Sequence, residues 1–99
     1  MAEQRMVYEQ AEEMIHELNL AAEELQEMIT NMQSIAQRME GGVLLGRGGD
    51  AFSVALRQRF CPAIERLSEK LRQQANYVQT EMYDMMEAER ENASRFGGK

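Results

Sequence analysis

Near the midpoint of the chain the segment Leu44-Leu45-Gly46-Arg47-Gly48-Gly49-Asp50-Ala51-Phe52 concentrates glycine, and apart from Gly97 and Gly98 every glycine of the sequence lies between positions 41 and 49. On either side the chain reads as one long helix, interrupted by a single proline, Pro62; glycine and proline are the residues that most disfavour helix, so their confinement marks where the helix must stop. A chain divided in this way folds back on itself. The expected architecture is all-α: an antiparallel helix-turn-helix hairpin over residues 1–91, with helix 1 at about 4–40, a turn at 41–49, helix 2 at about 50–91 and a flexible tail at 92–99. With 99 residues in two rods, surface is large relative to interior. The functions to look for are those of one rod binding others.

Between Val7 and Met39 the apolar residues Val7, Ala11, Met14, Leu18, Ala21, Leu25, Met28, Met32, Ile35 and Met39 alternate steps of four and three, the spacing of a heptad seam. Beside them runs a second line, Tyr8, Ile15, Ala22, Ile29 and Ala36, at intervals of seven. A seam between two helices needs only one such line. The first is therefore expected to face helix 2 and the second, Tyr8 to Ala36, to form a dimer interface, with two hairpins making a four-helix bundle. Helix 2 is expected to present Phe52, Leu56, Phe60, Ile64, Leu67, Leu71, Ala75, Val78, Met82 and Met85, with Asp50 or its predecessor capping the first turn and a kink near Pro62. Met14, Met28, Met32 and Met39 read as core. Met82, Met85 and Met86 read as core or as an adaptable contact surface.

The formal charge of −6 argues against a nucleic-acid partner, which would need a dense Lys/Arg patch. No apolar run is long enough for a membrane span, and Glu3 and Glu9 stand where a secretory signal would be basic and then apolar. Residues 2–40 carry nine acids against Arg5 and Arg38, whereas residues 50–75 carry Arg57, Arg59, Arg66, Lys70 and Arg72 against three acids. Opposite signs are thus expected to face each other across the hairpin, steering the pairing more than holding it.

Other chemistry is weakly represented. Glu13-Met14-Ile15-His16 has the Glu-x-x-His spacing of di-iron bundles, but both polar residues fall outside the apolar stripes, so a solvated histidine is expected and no metal or other cofactor. Cys61 is the lone cysteine; a packed or partly exposed free thiol is expected, with an intermolecular disulfide as the alternative. Gly46-x-Gly48-Gly49 lacks the Lys-Ser/Thr of a phosphate loop. No residue set suggests catalysis, and the chain is read as a non-enzyme.

The turn Leu44-Leu45-Gly46, followed by Ala51-Phe52 on the first turn of helix 2, resembles the small Trp-x-Gly (WXG) proteins of type VII secretion systems, the early secretory antigen target family. The resemblance extends over the chain in length, hairpin pattern and acidity. Leu44 stands where that family has Trp, keeping an apolar plug without the indole; the Leu-x-Gly form is also similar to amino-terminal domains of certain polymorphic toxins. The family carries a Tyr-x-x-x-Asp/Glu export element late in helix 2, and two matching segments occur: Tyr77 with Glu81 and Tyr83 with Glu87, the second better placed relative to the turn. The resemblance implies a secreted protein, cytoplasmic before export by a route independent of a signal peptide. It implies Leu44, Gly46 and Phe52 as the turn motif, and as partners a second copy or a paralogous hairpin together with a secretion ATPase. The alternative reading is an intracellular coiled-coil adaptor or chaperone-like hairpin.

Overall fold

A computed structural model of the chain, describing residues 2–40 and 46–97, is an antiparallel helical hairpin. Helix α1 spans Ala2–Met39, α2 spans Gly46–Ala55, a π-helical turn covers Leu56–Phe60, and α3 runs from Cys61–Gly97 without a break. The Cα trace measures 80 × 19 × 13 Å, a rod one layer thick. Helix α1 contains neither glycine nor proline and places Glu3 in its first turn and Arg38 in its last, each favourable to the helix dipole.

The long helix begins four residues earlier than expected, at Gly46, so Asp50 lies inside α2 instead of capping it. Gly46 takes a φ of 55°, a left-handed value that glycine adopts without the clash of a Cβ. At the other end, the segment expected to be a tail is helical as far as Gly97.

Pro62 does not end the helix. The chain meets it with a wide turn in which the Cys61 N–H bonds the Leu56 carbonyl, five residues back. Proline has no N–H and its ring crowds the carbonyl four residues earlier; widening the preceding turn relieves that crowding. The turn also resets the phase. Buried positions on the long helix run Gly49, Ser53, Leu56, Cys61, Ser68, Ala75 and Met82, and the step from Leu56 to Cys61 is five instead of three or four. One surplus residue turns everything before it by about 100°. A plain α-helix extended back from Cys61 would bring Val54, Arg57 and Asp50 to the seam; the π turn brings Leu56, Ser53 and Gly49 instead.

The seam is built mainly from small side chains. Ala22, Ala36, Ser53, Ser68 and Ala75 are at most 1% exposed, and Ile29, Leu56, Cys61 and Met82 are also buried. The Ser68 hydroxyl donates to the Ala22 carbonyl at 3.1 Å and accepts from Gln26 Nε2 at 3.3 Å. A side chain that reaches a backbone atom of the facing helix shows how closely the rods approach. The two buried serines are satisfied, since Ser53 donates to Glu40 Oε1 at 2.7 Å, which keeps their burial from costing the free energy of an unpaired hydroxyl.

This packing puts the second stripe of α1 in the seam, with most of the first stripe half-buried beside it. Ala22, Ile29 and Ala36 are buried against the chain's own long helix, and Tyr8 and Ile15 are half-buried on the same line. They are seam residues and not a dimer interface. The small residues Cys61, Ser68 and Ala75, seven apart on α3, leave room for this line of α1 at close approach. Of the first line, Val7, Met14 and Met28 are left about half exposed, whereas Ala11, Leu18, Ala21, Leu25, Met32, Ile35 and Met39 stay half-buried.

Candidate partner-binding face

The displaced side chains collect on one flank of the rod. Val7, Met14 and Met28 of α1, together with Phe52, Phe60, Leu67, Tyr77 and Met85 of the long helix, are each between 43% and 62% exposed. Helical phase puts them on the same side, and the open end of the hairpin shows this directly. There Val7 and Ala11 meet Tyr77, Val78, Glu81, Met82 and Met85 around a shallow groove of about 190 Å³. A single chain seldom exposes so long an apolar stripe without a partner for it. Met14 and Met28, expected in the core, belong to this flank, as do Phe52, Phe60, Leu67 and Met85, expected to face α1.

The two candidate export pairs lie on different sides. Tyr77 and Glu81 line the apolar groove. Tyr83 is six residues further on, which rotates it about 120° away around the helix; its hydroxyl accepts from Gln79 Nε2 at 3.2 Å, and Glu87 lies 4.0 Å from Arg90. Of the turn motif, Leu44 lies outside the described residues, Gly46 starts α2, and Phe52 is half exposed on the flank.

Two polar features join the helices at opposite ends of the rod. Near the turn, Glu40 follows the last turn of α1, where a negative charge opposes the helix dipole. It is held by Arg57, through Nε and through Nη2 at 3.3 Å, and by the Ser53 hydroxyl. These donors, Arg57 first, lower the Glu40 pKa below its ordinary value. At the open end the Tyr8 hydroxyl is buried without a hydrogen-bond partner of good geometry, while the adjacent Glu89 carboxylate pushes its pKa up to about 12. Glu3, Glu89, Val7, Tyr8 and Met85 surround it. The Glu40 clamp was not singled out from the sequence. A carboxylate at a helix C-terminus opposite a cluster of arginines was the available signal.

His16 and Glu13 are exposed, as the helical phase indicated, and Cys61 is a buried free thiol in the seam. Among the described residues no group of three or more His, Cys, Asp or Glu is arranged to hold a metal, and no helix is long and apolar enough to cross a membrane. Compared with protein-family models, curated proteins and solved structures, the chain matches none of them.

Proposed function

We propose that this chain is a non-catalytic helical-hairpin partner protein whose exposed apolar flank is covered by a second copy or a paralogous hairpin. In this reading the assembled pair is exported by a type VII-like secretion system through contact with its ATPase. The observation that carries the association is the stripe from Phe52 to Met85 on the long helix, matched by Val7, Met14 and Met28 on α1. Charge supports a head-to-tail arrangement. The open end holds Glu3, Glu9, Glu12, Glu13, Glu81, Asp84, Glu87, Glu89 and Glu91 against Arg5, Arg90 and Arg95, while Arg38, Arg47, Arg57, Arg59 and Arg66 outnumber Glu40, Asp50 and Glu65 toward the turn.

The secretion step rests on the resemblance of the Leu44-x-Gly46 turn and the late Tyr-x-x-x-Glu segments to the WXG family. Of the two pairs, Tyr83 with Glu87 supports the role better, because covering the flank hides Tyr77 and leaves Tyr83 accessible. The test is export from a cell carrying such a system. Tyr83→Ala is expected to abolish appearance in the medium while folding and association persist, and Tyr77→Ala to act mainly through weakened association. Wild-type export of both variants would remove the export-signal reading and favour the intracellular adaptor, for which association alone is required.

A further inference from the structure

The surplus residue in the turn Leu56–Phe60 distinguishes two registers for the first part of the long helix on α1, the observed one and that of an uninterrupted α-helix. In the observed register Leu56, Ser53 and Gly49 fill the seam, Val54 points outward at 50% exposure, and Phe52 stands beside the seam on the apolar flank. Closing the wide turn into ordinary α-helix would rotate residues 46–60 by about 100°. Val54 would then enter the seam, Leu56 would leave it, and Phe52 would swing to the back of the rod, away from the flank.

The groups that distinguish the registers are those at the end of α1. Glu40 holds Ser53 and Arg57 together, and it can do so only while the π turn keeps both on the same side of the seam. In the plain α register Arg57 moves into the seam and Ser53 turns toward the apolar flank, which breaks the present geometry of the clamp. Pro62, which crowds the carbonyl one turn earlier, favours the same wide turn.

We propose that Glu40, Ser53 and Arg57 form a register lock: the clamp holds the π turn open and thereby keeps Leu56 in the seam and Phe52 on the partner-binding side. Glu40 is a positioning residue in this device, acting on Phe52 through the rotation of the helix between them. The lock is internal to one chain and is independent of the partner reading; only the use made of Phe52 rests on that reading.

Thiol accessibility tests it with changes of opposite sign. In a Cys61→Ala background, Val54→Cys and Leu56→Cys are made separately and the rate of alkylation is measured, with helicity followed by circular dichroism. With Glu40 in place the thiol at position 54 reacts rapidly and that at position 56 slowly. Glu40→Ala, with Glu40→Gln as the milder variant, is expected to slow position 54 several-fold and to accelerate position 56 several-fold at unchanged helicity. Deleting Gln58 removes the surplus residue and fixes the present seam, so in that background Glu40→Ala should leave both rates unchanged. If the two rates rise together, the clamp merely prevents fraying and the lock is refuted. If neither moves, Pro62 and packing set the register without Glu40, and the proposal fails as well.

Discussion

Replacing Met14 and Met28 together by glutamate should abolish the proposed self-association while leaving the hairpin folded. The two side chains are 51% and 43% exposed in the single chain. Complete burial of a methionine stabilises by about 1.5–3 kcal/mol, so the half still open corresponds to about 1 kcal/mol at each position. A two-fold pair presents each position twice, giving about 4 kcal/mol in all, or about a thousandfold in Kd at the usual 1.4 kcal/mol per factor of ten. Desolvation of the new carboxylates adds to this, so the figure is a lower bound. The hairpin itself should lose about 1 kcal/mol at each position with the covered half of each side chain, and stay folded because the buried seam is untouched.

Sedimentation velocity over a range of micromolar concentrations reads the outcome. Wild type is expected to sediment as a dimer or to associate with concentration, and Met14→Glu/Met28→Glu as a monomer with unchanged circular dichroism. Ser34→Glu/Gln37→Glu adds the same charge at exposed positions on the opposite side and should leave association intact. A wild-type chain that stays monomeric throughout would refute self-association, leaving a paralogous hairpin as the occupant. A double variant that assembles as tightly as wild type would refute the flank as the interface.

Gly46→Ala should destabilise by about 1–2 kcal/mol, because a Cβ is strained at a φ of 55°. Gly48→Ala should stabilise by about 0.4–1 kcal/mol, since a Cβ there has no atom within 4 Å and the position is helical; urea unfolding compares the two. At the seam, Ser68→Ala removes the bond to the Ala22 carbonyl and should cost about 1 kcal/mol. Ser68→Leu forces the rods apart and should cost about 1–3 kcal/mol. If Ser68→Leu proved the milder change in denaturant midpoint, the close-packed seam would be wrong. Because the folded Glu40 pKa lies below its ordinary 4.5, its contribution is fully present above that value and is lost as pH falls through the lower folded value. Glu40→Gln should therefore flatten the acid limb of thermal stability, and an unaltered limb would count against the clamp.

The hairpin was legible because glycine is confined to one stretch and α1 has no helix breaker; those are local signals and owe nothing to the partner helix. Which stripe of α1 would be buried was not legible in the same way. Two lines of apolar residues satisfy the same helical period, and the choice between them depends on the size of the residues opposite. Ser53, Ser68 and Cys61 decide it, yet a reading of apolar periodicity passes over serine as a surface residue. A line of small residues at 61, 68 and 75, with Ser68 opposite Ala22, was the signal present. The π turn escaped for a related reason. The set Phe52, Leu56, Phe60 and Ile64 keeps a perfect step of four across Pro62, so nothing in the pattern announces a step of five.

One packing choice accounts for both the tightness of the hairpin and the stickiness of its flank. Small residues in the seam let the helices approach until a serine hydroxyl reaches the opposite backbone. At that distance Val7, Met14 and Met28 on the neighbouring line are left outside the closest contact of the rods. They emerge along one side, where Met14, Met28, Leu67 and Met85 remain about half covered. Leucines in place of Ser68 and Cys61 would widen the gap, draw the methionines inward and leave a broader private core with less need of company. The exposure of the flank is thus written less in the greasy side chains themselves than in the small residues of the seam.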